Sequence, residues 1–302
     1  MTKNSKLTRL VRERMRYTGE KYMTARKFVT RDSKPLSQAG EFKLSDLLLN
    51  DTQVALLKDA VSKPGLVVFS GGTGSGKTTT AAALLKELLE SGSRVEAFER
   101  SENSELGVLA GQENLTVTFK MPLDYDTGAP DWVPVFGTFY KNAVERGSVA
   151  DVEVVYYDET RALEHVEKVL KHLVVKKPII TSLHSSPHKL DRLLTPIHDL
   201  VRLNLLWFPD QSGSVLETVN AVVVTYRLDE LVHVSDPLFA GHRFNVVYPV
   251  DETIRELFKD ADAFRDRSTV DAVLDHYREL GVPLVDDVVA PFQELAVKRF
   301  MS

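Results

Sequence analysis

A glycine-rich octapeptide between an apolar run and a helical segment constrains this chain more than any other feature. Residues 71–78 read Gly-Gly-Thr-Gly-Ser-Gly-Lys-Thr. The run before them, Gly65-Leu66-Val67-Val68-Phe69, is short and apolar, which is typical of a buried parallel strand. Residues 78–89 follow with the Ala and Leu content of a helix. A strand, a glycine-rich turn and a helix in this order predict an α/β fold.

The octapeptide has the pattern of a P-loop, whose backbone N–H groups surround nucleotide phosphates. Glycines are needed because side chains would block the phosphates, while the lysine reaches the β and γ oxygens and the next hydroxyl binds Mg²⁺. A glycine-rich turn without a ligand is the alternative. We predict ATP and Mg²⁺ as cofactors, with Lys77 also catalytic and Thr78 a metal ligand. The predicted cofactor-binding residues are Gly71, Gly72, Thr73, Gly74, Ser75, Gly76, Lys77, Thr78 and Thr79.

Strands and helices continue to alternate after this loop. Residues 107–134 lack a clear period and predict loops with short strands. The alternation predicts an α/β sandwich around a mainly parallel sheet. Further strands are predicted at 94–99, 152–157, 178–184, 221–226 and 243–247, a lead-in helix at 44–60, and two helical segments after 251 that residues 281–283 separate.

Acidic side chains stand at the ends of two predicted strands. Glu99 ends one of them, and Asp158 and Glu159 follow the apolar run Val154-Val155-Tyr156-Tyr157. Ligands of parallel sheets bind at the carboxyl ends of the strands. We therefore predict Asp158 as a ligand of the Mg²⁺ shell, Glu159 as the general base and Glu99 as a second catalytic carboxylate. The alternative is that these acids are solvated loop residues.

His184 ends another predicted strand and precedes two serines. An imidazole at this position is able to hydrogen-bond a γ-phosphate and so respond to its presence. A structural histidine is the alternative. On the wider motif order, we predict a catalytic, phosphate-sensing role for His184.

The charge of the chain is unevenly distributed. Residues 1–36 carry eleven basic and three acidic side chains, a net charge of +8, although the whole chain has a net charge of −5. Apolar residues at helical spacing around Thr18-Gly19 predict a small helix-turn-helix unit there, followed by a linker at 32–41. Such a basic segment contacts nucleic acid phosphates through residues 3–34, or docks onto a partner protein.

Composition excludes several classes of protein. The 302 residues include no cysteine, so disulfides, Cys-ligated metals and thiol nucleophiles are excluded. No stretch approaches the roughly 20 apolar residues of a membrane span, and the first residues lack the apolar part of a signal peptide. We expect a cytoplasmic protein without membrane insertion, reaching the inner face of the membrane only through partners.

The order of the motifs resembles the PilT-like family, the type II and type IV secretion and type IV pilus retraction ATPases. The family's Walker A box looks like residues 71–78, and its acidic box, Ile-Glu-Asp-Pro, is similar to residues 98–101 in Glu99 alone. The Walker B box, Gly-Glu-Ile/Met-Arg-Asp, resembles Asp-Glu-Thr-Arg-Ala at 158–162. The histidine box, Thr-Leu-His-Thr, resembles Ser-Leu-His-Ser at 182–185, and the resemblance extends from Phe42 to the C-terminal helices.

This resemblance implies a RecA-like core and a homohexameric ring with ATP between subunits. It implies a motor that acts on the machinery of secretion, pilus movement or conjugation. The expected domains are a basic helical extension with a linker at 1–41, a RecA-like ATPase domain at 42–250 and a C-terminal helical subdomain at 251–302. The short extension is expected in place of the family's N-terminal PAS-like domain.

Two other functions are compatible with the same motifs. The basic leader suggests an ATP-gated, DNA-associated switch on a mobile element. A P-loop kinase is the third reading, although no arginine-bearing lid is identified and residues 181–184 have no obvious use in one. The motor accounts for the largest number of motifs.

Overall fold

The structure is a computed structural model that describes residues 42–72, 74–99, 106, 109, 112–119, 153–157, 177–184, 218–228, 231, 242–258 and 266–300. Near the N-terminus it also describes Thr8, Val11, Arg12 and Met15, which are helical. The rest of the predicted helix-turn-helix unit and the linker at 32–41 lie outside the described residues. Among the described helices, none has the length and apolar character that crossing a bilayer requires.

Seven strands form one sheet in the described part of the chain. Their order is β3-β2-β4-β5-β1-β6-β7, so the strand that precedes the glycine-rich loop lies inside the sheet between β5 and β6. The strands are β1 (Gly65–Gly71), β2 (Val95–Glu99), β3 (Leu115–Phe119), β4 (Val154–Tyr157), β5 (Pro178–His184), β6 (Val219–Arg227) and β7 (Arg243–Pro249).

All neighbouring strands are parallel except the last pair. β6 and β7 are antiparallel, with Ala221 opposite Pro249 and Arg227 opposite Arg243. β3 lies in the region predicted to contain short strands and pairs in parallel with β2. The α/β fold with a mainly parallel sheet, predicted from the alternation of elements, is therefore confirmed.

Both faces of the sheet are buried, which explains the continuous apolar runs of its strands. In β1, Leu66 and Val68 belong to the core on one face, whereas Val67 and Phe69 belong to the core on the other. This division follows from the two-residue period of a strand. The sheet is thus the middle layer of three.

In the described part of the chain, three helices cover the face that contains Val67 and Phe69. They are α1 (Leu44–Leu47), α2 (Asp51–Val61) and α3 (Lys77–Glu90). The prediction of one continuous lead-in helix over 44–60 was wrong. The helix stops after Leu47 because Leu48 is extended and bridges to Asn245 of β7, and the side chain of Asn50 then accepts the N–H of Gln53 to cap α2.

After β7, residues 250–258 and 266–300 contain three helices, where two segments were predicted. They are α4 (Glu252–Leu257), α5 (Arg267–Glu279) and α6 (Val285–Phe300). The segment before Gly281 is divided because Asp266 caps a new helix, accepting the backbone N–H groups of Ser268 and Thr269. The helices α4 to α6 share a hydrophobic core with the face that contains Leu66 and Val68. The domain boundary at residue 250 stays a prediction.

A glutamine side chain forms hydrogen bonds with the outer edge of β7, as a neighbouring strand would. Gln53 of α2 is fully buried, its Oε1 accepts the N–H of Val247 at 2.5 Å, and its Nε2 donates to the carbonyl of Val247 at 3.4 Å. Unpaired edge groups of this kind attract other strands. Gln53 therefore completes the hydrogen bonding of the sheet at this position.

Replacing this amide is expected to destabilise the fold. Gln53→Leu leaves a buried N–H and a buried carbonyl of β7 unpaired, at a cost of about 3 kcal/mol in the free energy of unfolding. Urea unfolding followed by circular dichroism measures this loss. Gln293→Leu, at an exposed site of α6, is the control and is expected to change stability by less than about 0.5 kcal/mol. Equal effects of the two substitutions would contradict this account of the edge.

Two tyrosines on the other face are fully buried and neutral. The rings of Tyr248 and Tyr277 meet edge to face at 5.2 Å, and the Tyr248 hydroxyl lies 3.4 Å from that of Tyr226. Burial raises the pKa of both Tyr248 and Tyr277 well above the usual range. The native state therefore keeps both phenols protonated at pH values where the unfolded chain ionises them.

Alkaline conditions are consequently expected to weaken the fold. The contribution of each phenol is complete below its unfolded pKa of about 10, and stability is lost above this pH by up to about 1.4 kcal/mol per pH unit for each group. Urea unfolding at pH 8, 10 and 11 measures the slope. The double variant Tyr248→Phe/Tyr277→Phe should lose less stability than the wild type between pH 10 and 11. An unchanged slope in this variant would refute the assignment.

Candidate functional site

The glycine-rich loop joins β1 to α3 at the carboxyl edge of the sheet. All its residues except Thr73 belong to the described part of the chain. Helix α3 begins at Lys77, and Gly76 before it has a φ of 106°, a conformation that favours glycine. The N-terminus of a 14-residue helix thus points its N–H groups toward the loop.

Gly71 allows the close packing on which the loop rests. Its φ is 152°, and an added Cβ would lie 2.7 Å from the Oγ of Ser75 and 2.8 Å from the carbonyl oxygen of Thr225 on β6. Such distances are shorter than any that a real Cβ adopts, and the nearest backbone atom belongs to a sheet strand that cannot easily move. Only glycine fits where the chain leaves β1.

Lys77 folds back over the loop. Its Nζ donates to the carbonyl oxygens of Gly71 at 2.8 Å and Gly72 at 2.9 Å, and the side chain is only 8% exposed. The ammonium group is therefore held at the concave side of the glycine-rich turn. Phosphate oxygens, which are charged, form stronger hydrogen bonds with an ammonium group than neutral carbonyls do.

Ser75 supplies a buried polar atom at the same place. Its backbone N–H donates to the carbonyl of Gly72 at 3.2 Å, but its buried hydroxyl has no hydrogen-bond partner among the described residues. A buried hydroxyl without a partner is costly unless a ligand satisfies it. Thr78 and Thr79 follow in the first turn of α3, half-buried and buried respectively. These donors fit a phosphate group.

The topology brings the other predicted site residues toward this edge to different extents. His184 is the last residue of β5 and is the register partner of Gly71. Glu99 is the last residue of β2, two strands farther from β1 than β5 is. β4, between β2 and β5, ends one residue before Asp158. Asp158 and Glu159 themselves lie outside the described residues. The roles of these four residues stay predictions.

A buried polar cluster behind the loop was missed by sequence reasoning. Oδ1 of Asn245 accepts the hydroxyls of Thr225 at 2.7 Å and Thr80 at 3.2 Å, while its Nδ2 donates to the carbonyl of Leu47 at 2.9 Å. The hydroxyl of Thr80 also lies 3.2 Å from the carbonyl of Gly76. The only local signal is an asparagine inside the apolar strand Arg243–Pro249, where a polar residue requires partners.

Arg227 and Arg243 were also missed. They face each other across β6 and β7 at the edge where the glycine-rich loop stands. An added Cβ on Gly76 would lie 3.4 Å from Cδ of Arg243 and 3.5 Å from its Nη1. The sequence gives no sign of this contact because the two residues belong to distant elements.

Several solved structures of ATPases are similar to this chain. The ATPase DotB of Yersinia pseudotuberculosis matches with a TM-score of 0.50 and 14% identity, over 84% of this chain and 63% of that chain. The pilus retraction motor PilT with bound ADP matches with a TM-score of 0.48 and 18% identity, over 82% and 66%. DotB of Legionella pneumophila matches with a TM-score of 0.43 and 19% identity, over 79% and 57%.

This chain therefore spans between 57% and 66% of the length of these three proteins. No family model and no curated protein sequence matches it. At 14% identity the similarity to the Yersinia ATPase shows the fold alone. The RecA-like P-loop fold that the motif order implied is confirmed, and this chain is similar in fold to a solved ATPase.

The packing at Gly71 predicts that this glycine cannot be replaced. Gly71→Ala places a methyl group against the carbonyl of Thr225 and is expected to cost about 3 kcal/mol in the free energy of unfolding. Gly74→Ala is the matched control, because Gly74 has a φ of 68° but no heavy atom within 4 Å of the added Cβ. It is expected to cost about 1 kcal/mol. Chemical denaturation without nucleotide measures both, and a larger loss for Gly74→Ala would contradict this packing argument.

Proposed function

We propose that this chain is an Mg²⁺-dependent ATPase and a motor subunit of the secretion and pilus ATPase family. The observation that carries the proposal is that Lys77 donates hydrogen bonds to the carbonyls of Gly71 and Gly72, at the carboxyl edge of a RecA-like sheet. That arrangement presents an ammonium group and a helix N-terminus to one small volume. Phosphate is the ligand that this combination suits best.

Several residues would hold the cofactor in this proposal. The backbone N–H groups of the loop would surround the α and β phosphates, and Lys77 would move from its carbonyl partners to the β and γ oxygens. The Thr78 hydroxyl and Asp158 would hold Mg²⁺, which supplies charge neutralisation at the γ-phosphate when bound. The Ser75 hydroxyl would gain the partner that it lacks among the described residues.

Hydrolysis would depend on carboxylates from neighbouring strands. Glu159 would orient the attacking water and accept its proton, with Glu99 as a second carboxylate at the same edge. His184 would contact the γ-phosphate, a role supported by its register with Gly71. Hydrolysis would then remove the contact of His184 with the γ-phosphate, and the rest of the subunit would respond to this loss.

A ring of identical subunits would convert ATP hydrolysis into movement. We propose a homohexamer with nucleotide at the subunit boundaries, acting at the cytoplasmic face of a secretion, pilus or conjugation machine. One solved structure of this fold is described as a pilus retraction motor. The basic residues 3–34 would serve as a docking arm for a partner of that machine, with nucleic acid as the other binding candidate.

The test separates binding, hydrolysis and assembly. Lys77→Ala is expected to abolish ATP binding because the charge at the phosphates is lost. Glu159→Gln should bind ATP with wild-type affinity but lower kcat by about 100-fold or more, since it cannot accept the proton of water. Glu113→Gln, at an exposed residue before β3, is the control. Nucleotide titration and a phosphate-release assay measure these effects.

Assembly is measured with the same proteins. Light scattering after size exclusion should show a hexamer for Glu159→Gln in the presence of Mg-ATP. ATPase activity of the wild type should rise with protein concentration in a cooperative manner. A monomeric protein with full activity would refute the motor, and wild-type hydrolysis by Glu159→Gln would refute the assigned base.

A further inference from the structure

The last two strands of the sheet bring a second cationic side chain to the glycine-rich loop. β7 runs antiparallel to β6, so its first residue, Arg243, lies at the same edge as the carboxyl ends of the parallel strands. Arg227, the last residue of β6, is its direct partner. The Nε atoms of both arginines are buried. Cations thus stand at the edge where parallel sheets of this kind bind their ligands.

The side chain of Arg243 lies on the face that contains α3. Residues two positions apart in a strand share a face, and Asn245, two positions farther on, contacts Thr80 of α3. The same conclusion follows from the distance between Arg243 and Gly76: a Cβ on Gly76 would lie 3.5 Å from Nη1 and 3.4 Å from Cδ of the arginine. The guanidinium group is therefore beside the residue that caps α3.

This position differs from that of Lys77. In a P-loop, the backbone N–H groups of the loop surround the α and β phosphates, whereas the lysine reaches the β and γ phosphates. Gly76 belongs to this loop, so Arg243 stands beside backbone groups of the kind that surround the α and β phosphates. A guanidinium group donates two parallel hydrogen bonds to phosphate oxygens and keeps its charge at every physiological pH.

The local electrostatics favour an anion at this place. The N-terminus of α3 adds positive potential next to the guanidinium group of Arg243, and a helix N-terminus favours a bound phosphate. We propose that Arg243 is a nucleotide-binding residue that contacts the phosphates shared by ATP and ADP.

This proposal rests on the proposed nucleotide binding and specifies which phosphates Arg243 contacts. Arg243 binds the part of the ligand that hydrolysis leaves unchanged, so it contributes equally to the affinity for ATP and for ADP. A purely structural role, in which the aliphatic stem of Arg243 covers Gly76, does not predict equal contributions to the two affinities. The two roles are separated by removing the charge while keeping the stem.

The experiment compares Arg243→Met, which keeps the stem, with Arg243→Lys, which keeps the charge. Dissociation constants for Mg-ADP and for a non-hydrolysable Mg-ATP analogue are measured by calorimetry at fixed ionic strength. Arg243→Met is expected to weaken both about tenfold, with their ratio unchanged within about twofold. Arg243→Lys should retain part of the affinity because its ammonium group supplies the charge without the fork.

Arg255→Met is the matched control. Arg255 is half-buried and donates to the carbonyl of Val219, the first residue of β6, at the opposite edge of the sheet. It is expected to leave both affinities unchanged. Thermal unfolding without nucleotide shows whether each variant is folded, and if Arg243→Met is not, Arg243→Lys decides the test through its intermediate affinity.

Three outcomes overturn the proposal. Wild-type affinities in Arg243→Met would leave the arginine a structural role only. A loss confined to the ATP analogue would place Arg243 at the γ-phosphate instead. Failure of the wild-type protein to bind either nucleotide would refute the proposed function itself, and this result is distinct because it does not depend on the variant.

Discussion

The close approach of β1 to β6 at Gly71 is the constraint on which the rest of the site depends. With the Thr225 carbonyl only 2.8 Å from where a Cβ would stand, the chain leaves β1 without any side chain in its path. The loop is then able to turn tightly and present its carbonyls to Lys77. Helix α3 starts at once, so its N-terminus faces the same volume. A larger residue would push the loop away from the sheet.

The polar cluster around Asn245 keeps this arrangement in register. One amide joins β7, β6, α3 and the end of α1 by hydrogen bonds, of which the two to the threonine hydroxyls are buried and the one to Leu47 is partly buried. Hydrogen bonds in such surroundings are strong, and each unpaired member would be costly, so the four elements hold one another in place.

The charge distribution agrees with this geometry. The body of the chain is acidic, yet the edge that bears the loop combines Lys77, two arginines and a helix N-terminus. Acidic residues at the ends of β2 and β4 belong to the strands on the other side of β5. In the proposed function, the positive groups on one side would bind the phosphates, and the carboxylates on the other would hold the metal ion and the attacking water.

The sequence by itself determined the glycine-rich loop and the α/β class, because both depend on contiguous residues and on local period. Strand 178–184 was predicted with its observed bounds, whereas the break at Leu48 was not, since a bridge to a distant strand causes it. Only the tertiary structure decided the strand order and the neighbours of Gly71, Gly76 and Thr80. Thr80 and Asn245 are 165 positions apart, and their contact follows from how helix α3 packs on one face of the sheet, which no local pattern encodes.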